Sequence, residues 1–403
     1  MKWTPQQDKA LLDVNAWLQD NDGQQVFRLF GYAGTGKTTL AKHLASNVRG
    51  GVLFGAYTGK AAHVLNTKGC PAQTIHSLIY RPKDKSKAGV REIEEQMTKL
   101  AAELKERGVA DPQDNAAYVR LMNVLKIEKQ NAQRPMFELY PESPVQDCSL
   151  LVLDECSMID GRMGDDILSF GSKVLVLGDP AQLPPVKGEG YFINGKPDFL
   201  LTDVQRQARD NPILELATRV REGKRLQPGS YGSSTVLPAG RKVADILDYS
   251  QAITGRNRTR RAWNQRYRAL LERGGEMPEP GDRLVCLRNS AETGLLNGAV
   301  WIARSSEWVD PYLTMEVQSE DGGPVVTCDV HSEPFKGEDI PFWDKKKAQE
   351  FDYGYALTCH KSQGSQWDSV LVCDESACFR DDRDKWLYTA VTRAVDRVTV
   401  LQT

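Results

Sequence analysis

The chain has 403 residues, 40% of them hydrophobic, with a formal net charge of −2 and eight cysteines. Its length exceeds one ordinary core and points to about two to four domains. No apolar run approaches the roughly 18 residues of a membrane span, the opening Met1-Lys2-Trp3-Thr4-Pro5 lacks the apolar stretch of a secretion signal, and no cysteine pair has C-x-x-C spacing. These features argue against a membrane protein, a disulfide scaffold or a zinc module, and a soluble cytoplasmic chain is expected. The near-neutral charge offers no global field for nucleic acid, which leaves local clusters to carry that reading.

In chain order, Val26 to Phe30 has the length and apolar content of a buried strand, and Thr39, Leu40, Ala41, Leu44 and Ala45 form a helical pattern after it. Between them, Gly31-Tyr32-Ala33-Gly34-Thr35-Gly36-Lys37-Thr38 is a complete G-x-x-x-x-G-K-[ST] phosphate loop. Backbone N–H groups of such a loop attract phosphates, its lysine reaches the terminal phosphates, and the hydroxyl after it suits Mg²⁺. Gly34, Thr35, Gly36, Lys37, Thr38 and Thr39 are therefore the candidate contacts to ATP, with Thr38 also a metal ligand.

Ala56-Tyr57-Thr58-Gly59-Lys60-Ala61-Ala62 follows the next expected strand, and Gln73-Thr74-Ile75-His76-Ser77 comes soon after. Small hydroxyl residues at helix N-termini hold backbone phosphates without reading sequence. Val90 to Arg107 and Asn115 to Gln130 have helical periodicity, and Met136 to Tyr140 alternates like a strand before Pro141. Leu150 to Leu153 reads as another buried strand and ends in Asp154-Glu155, at the strand edge where α/β sheets place ligands. Alone, such a pair reads as a solvated turn; beside a phosphate loop, Asp154 suits the metal and Glu155 the attacking water. Val174 to Leu177 then runs into Gly178-Asp179-Pro180-Ala181-Gln182-Leu183-Pro184-Pro185, whose prolines stiffen the loop around Gln182, a candidate γ-phosphate sensor.

The second half repeats the strand and helix alternation without a second phosphate loop. Gln251 to Thr254, Tyr353 to Thr358, Val370 to Val372 and Arg397 to Leu401 read as strands, and Ile213 to Val220 and Trp386 to Val391 as helices. Arg256, Arg258, Arg260, Arg261, Arg266 and Arg268 form an acid-free stretch with Trp263 and Tyr267, a pattern that pairs phosphates and stacks bases, or equally a solvated helix face. Residues 281 to 350 are rich in short β-like runs. Arg206 and Arg393 are candidates to stabilise charge on a transferring phosphoryl group, although a lone arginine is more often a surface residue.

The order of these motifs, with Tyr355-Ala-Leu-Thr-Cys-His-Lys-Ser-Gln-Gly364 and Leu387-Tyr-Thr-Ala-Val-Thr-Arg-Ala394, resembles superfamily 1 helicases of the RecD-like group that includes the Dda-type phage helicases. The resemblance implies an α/β fold of two RecA-like lobes with parallel sheets. The first lobe would take 1–80 and 148–195, interrupted by a helical and pin insertion at 81–147. The second would take 196–280 and 351–403, interrupted by an SH3-like β-barrel at 281–350. It assigns Gln7 to adenine, Arg206 and Arg393 to arginine fingers, and Gln363 and Gly364 to the nucleotide. Thr58, Lys60, Thr74, His76, Asn257, Arg258, Thr358, His360 and Lys361 fall to single-stranded DNA, and Phe137 to the strand-separating pin. The implied activity is 5′ to 3′ unwinding of forked duplex driven by ATP and Mg²⁺, by a monomer working with replication or repair proteins. A translocase that displaces bound proteins and an ATP-gated strand-binding module are the alternatives.

Overall fold

Thr4 opens the first helix by a reciprocal cap: its hydroxyl accepts from the Gln7 amide, and the Gln7 side-chain oxygen accepts from the Thr4 amide. The computed structural model describes every residue except 1, 2, 21, 83–87, 108–110, 113, 114, 134–136, 185–189, 204–210, 291 and 342. The chain divides into one unit of Met1–Ile79, Pro141–Asp339 and Ala348–Thr403, and another of Tyr80–Tyr140 with Ile340–Lys347.

The larger unit begins with α1 (Pro5–Gln19), β1 (Val26–Gly31), α2 (Lys37–Asn47), β2 (Val52–Ala56), α3 (Gly59–Thr67), β3 (Ala72–Thr74) and α4 (Ile75–Ile79). The smaller unit contributes β4 (Tyr80–Pro82), the helices α5 (Ala88–Glu106) and α6 (Ala116–Gln133), which pack on each other, and β5 (Phe137–Leu139), antiparallel to β4. The larger unit resumes with β6 (Leu150–Asp154), α7 (Gly161–Leu168), β7 (Val174–Gly178) and β8 (Phe199–Leu201). Six strands form a wholly parallel sheet in the order β3-β2-β6-β7-β1-β8. Leu150 to Leu153 and Val174 to Leu177 are buried without alternation, as strands covered on both faces must be. The sheet reaches Leu201, beyond the boundary expected at 195, because Phe199 to Leu201 pairs with Leu29 to Gly31. Residues 141–147 likewise belong to this unit, where the Ser143 hydroxyl donates to Leu78 O at 2.6 Å.

The second sheet draws on α8 (Pro212–Arg221), β9 (Gly229–Tyr231), β10 (Ser234–Leu237), β11 (Gln251–Thr254) and α9 (Asn257–Leu270). The chain then leaves it for β12 (Arg283–Cys286), β13 (Val300–Val309), β14 (Tyr312–Ser319), β15 (Val325–Val330), α10 (Glu333–Lys336) and β16 (Phe351–Tyr353). It returns through β17 (Ala356–Thr358), α11 (Cys359–Ser362), β18 (Trp367–Asp374), α12 (Arg383–Val391) and β19 (Ala394–Gln402). The order β17-β11-β18-β19-β10-β9 is parallel except at β9. The inserted sheet, β15-β14-β13-β12-β16, is antiparallel and has its own core around Leu284, Met315 and Phe351.

The run Tyr353 to Thr358, expected as one strand, is two. Tyr353 ends the inserted sheet and Ala356 starts a strand of the parallel one. Gly354 sits where a Cβ would lie 2.9 Å from the Leu284 carbonyl carbon, and Asn264 fills the break by bonding Tyr353 O, Ala356 N and Ala356 O. The insertion therefore runs on to Tyr353. Its first and last strands are paired neighbours, and Asp282 at the entry is fully buried, accepting from Arg268, Tyr355 and the Glu279 amide. Among the described residues no helix is long and apolar enough to cross a membrane.

Candidate active site

After β1 the chain turns through Gly34 (φ 77°) and Gly36 (φ 81°), a left-handed backbone that a side chain would strain. No side chain caps α2, so its first amides are left facing a potential anion. Lys37 Nζ donates to Gly31 O and Tyr32 O, folded back on the loop. The Thr35 hydroxyl donates to Tyr32 O at 2.8 Å and Gln7 Nε2 donates to Thr35 O at 3.0 Å. Gln7, expected to read adenine, is 2% exposed and commits its carbonyl oxygen to the helix cap, so in this structure it braces the phosphate loop from below.

A cavity of about 460 Å³ opens over the loop, lined by Lys37, Thr38, Thr39, Asp154, Glu155 and Gln182 from the first lobe and by Gly364, Gln366 and Arg393 from the second. The Thr38 hydroxyl donates to Asp154 Oδ2 at 3.2 Å, which places two hard oxygen donors together and fits a divalent cation. Glu155 takes a left-handed backbone (φ 54°) just past β6, strain of the kind that collects at functional sites. Burial pushes its carboxyl above the usual range; Arg393 and Lys37 pull it back, while Asp154 and Asp179 push it further. Gln182 lines the cavity, and its Oε1 is buried without a hydrogen-bond partner among the described residues.

Arg393 is 4% exposed and held by Thr389 O (3.1 Å) and Ser365 O (3.2 Å), so the second lobe presents it to the cavity in a fixed pose. Gln363 Nε2 donates to Leu183 O at 2.9 Å, joining the two lobes beside the cavity, and its Oε1 is another buried unpaired acceptor. A Cβ on Gly364 would approach Ala61 Cβ to 3.0 Å, so glycine permits the lobes to meet there. Arg206 lies outside the described residues. The sequence reading passed over Asp179, 4% exposed, and Tyr388, 2% exposed, which bond each other at 2.8 Å next to the loop. Both stood inside quoted motifs, but only the assembled fold makes them neighbours.

The strand candidates gather at sheet edges. Because β2 and β3 pair in register, Ala56 opposite Thr74, the starts of α3 and α4 lie side by side. Thr58 caps α3 through Ala61 N, Thr74 accepts from Ser77 N, and His76 meets the Tyr57 ring edge-on at 6.1 Å. Lys60 departs from this group: it forms an ion pair with Asp321 and lines the nucleotide cavity. In the second lobe Thr254 pairs with Thr358, bringing Asn257 and Arg258 to the same edge as His360 and Lys361. Burial lowers the His360 imidazole pKa, opposed by Asp382.

The arginine stretch is mostly structural. Glu375 bonds the Gly255 and Arg256 amides, the Thr259 hydroxyl and the Arg256 guanidinium, so a carboxylate already occupies the α9 N-terminus. Arg260 pairs with Asp352 at 2.7 Å and Arg268 with Asp282 at 3.2 Å, both buried. Arg266 stacks on Trp263, while Arg258 and Arg261 stay exposed. Phe137, in the smaller unit, is 47% exposed on β5, where its neighbour Glu138 pairs with Arg81 at 2.9 Å.

A family model described as an AAA domain matches residues 4–233, and one described as a UvrD-like helicase C-terminal domain matches residues 353–401. The chain belongs to this AAA-domain family. The shorter second match places a helicase C-terminal domain at the end of the second lobe. The chain is 28% identical over 284 residues to the ATP-dependent RecD2 DNA helicase of Deinococcus radiodurans, an alignment covering 62% of this chain and 35% of that protein, so the chain spans about a third of its curated relative. Bacteroides Pif1 bound to single-stranded DNA shares the fold at a TM-score of 0.56 and 17% identity, covering 99% of this chain and 92% of that one. Candida albicans Pif1 does so at 0.52 and 16%, covering 100% and 94%. The likeness covers the helicase fold of two RecA-like lobes with an antiparallel insertion in the second.

Proposed function

We propose that the chain is an ATP-dependent DNA helicase that moves 5′ to 3′ along single-stranded DNA and opens forked duplex. The observation that carries this reading is the two-sided cavity: Lys37, Asp154, Glu155 and Gln182 come from one lobe, and Arg393 from the other. Lys37 leaves its two carbonyl partners to meet the terminal phosphates, Glu155 accepts a proton from the attacking water, and Arg393 stabilises charge that develops in the transition state. The chemistry that Mg²⁺ supplies, when held at Thr38 and Asp154, is neutralisation of phosphate charge. Arg206, outside the described residues, is proposed as a second arginine finger, and Gln363 and Gly364 as sensors of the nucleotide at the lobe junction.

A site completed from two lobes makes lobe closure depend on the γ-phosphate, and a strand held on both lobe edges is then pulled in steps. Thr58, Thr74 and His76 are proposed to hold phosphates on the first lobe, and Arg258, Thr358, His360 and Lys361 on the second. The β4–β5 hairpin with Phe137 is assigned to the pin, and the antiparallel insertion to an SH3-like module. The Deinococcus relative, named a DNA helicase, and the Pif1 structures, one at forked duplex and one bound to single-stranded DNA, support these partners.

The test is ATP hydrolysis with and without single-stranded DNA, followed by unwinding of forks carrying a 5′ or a 3′ tail. Hydrolysis unaffected by the strand would sink the motor, and preference for a 3′ tail would sink the direction. Strand-stimulated hydrolysis with no unwinding would leave a protein-displacing translocase.

A further inference from the structure

The second lobe grips the phosphate loop itself at two consecutive residues. The Ala33 amide donates to the Tyr388 hydroxyl at 2.8 Å, and that hydroxyl donates to Asp179 Oδ2 at 2.8 Å. Beside it, the Arg221 guanidinium lies over the Tyr32 ring, 3.7 Å from its centroid. Tyr388 stands on α12 and Arg221 at the end of α8, two helices packed on each other in the second lobe's core. Asp179 is also fixed by the Ala181 amide at 3.0 Å. Burial and the facing Asp179 push the Tyr388 phenol well above its usual range, which keeps it a donor.

The same helix governs Arg393. Thr389 accepts from the Leu183 amide at 2.9 Å, and its own carbonyl receives Arg393 Nε at 3.1 Å. A displacement of the phosphate loop therefore either carries α12 with it or leaves the part-buried Ala33 amide without its partner, while Tyr388 stays anchored to Asp179, and the second outcome costs the lost hydrogen bond. The stack of Arg221 on Tyr32 adds a contact that survives only while loop and lobe keep their spacing.

We infer that Tyr388, together with the Arg221–Tyr32 stack, is a clamp by which the second lobe reads the conformation of the phosphate loop and so sets where Arg393 stands. These are positioning residues, and the clamp rests on the proposed ATP-driven cycle. It supplies a contact that differs between nucleotide states, which any ligand-driven shift requires.

Steady-state hydrolysis by the full chain, with and without an oligo-dT strand, tests it. Tyr388→Phe and Arg221→Ala should each lower the strand-stimulated kcat by about tenfold while moving KM for ATP by less than about twofold. Tyr32→Phe keeps a ring under the guanidinium and should retain stimulation, whereas Tyr32→Ala should lose it. The pair Tyr32→Ala with Arg221→Ala should be no worse than either alone, because both remove one contact. Stimulation that persists in Tyr388→Phe and Arg221→Ala would overturn the clamp alone, as would a rise in KM without a fall in kcat. A wild-type chain with no strand stimulation would overturn the proposed function and the clamp with it.

Discussion

The Thr38 hydroxyl lies 3.2 Å from Asp154 Oδ2, joining the first turn of α2 to the end of β6. Each residue orients the other toward the position a cation would take. Thr38→Val and Asp154→Asn should therefore raise the Mg²⁺ needed for half-maximal hydrolysis by about tenfold or more. A Mg²⁺ titration of the ATPase checks this; an unchanged midpoint would remove both from the metal site.

Glu155→Gln should reduce kcat by about 10²- to 10⁴-fold with little change in KM, the range for loss of a general base. The pH dependence has a definite sign. The carboxyl is raised by burial and works only when deprotonated, so kcat climbs with pH through a value above the ordinary glutamate pKa of about 4.3. Arg393 is the largest influence opposing that rise, so Arg393→Ala should move the acid limb of the residual activity to still higher pH. A limb at or below the ordinary glutamate value would contradict the assignment.

Lys37→Ala should abolish hydrolysis and leave oligo-dT binding largely intact, because Lys37 Nζ is engaged with Gly31 O and Tyr32 O of the phosphate loop. Equilibrium strand binding by fluorescence anisotropy would reveal any shared dependence of the two sites.

Two arginines of α9 should behave in opposite ways. Exposed Arg258 faces the proposed strand path, so Arg258→Ala should weaken oligo-dT binding and reduce the slope of log affinity against log salt by about 0.7. Buried Arg268 compensates Asp282, so Arg268→Ala should cost about 3–5 kcal/mol in denaturant unfolding, the usual loss on breaking a buried pair. A stable Arg268→Ala with weakened strand binding would reverse this division of roles.

What could be read in advance was local. The β1 to α2 turn, the carboxylates after β6 and the proline-stiffened loop after β7 each declare themselves within about ten residues, by strand length and glycine or proline chemistry. Arg256 and Arg260 did not, because Glu375 and Asp352, which neutralise them, lie about a hundred residues away in sequence and reach them only through the sheet order. The break at Gly354 was invisible for the same reason: the backbone of Leu284 and Val285 demands a residue without a Cβ there. Tyr388 was in plain view, yet its partner Ala33 is separated by 355 positions, and a phenol in an apolar helix reads first as core.

The paired ends of the antiparallel insertion have an evolutionary and practical meaning. Since β12 and β16 lie in register, Leu284 beside Tyr353, the chain departs from and returns to the second lobe through one hydrogen-bonded ribbon locked by Asp282. Such a ribbon is a natural grafting point. The intervening module can be exchanged for another, or trimmed to a tight turn, while the gap left in the parent lobe stays one strand spacing wide.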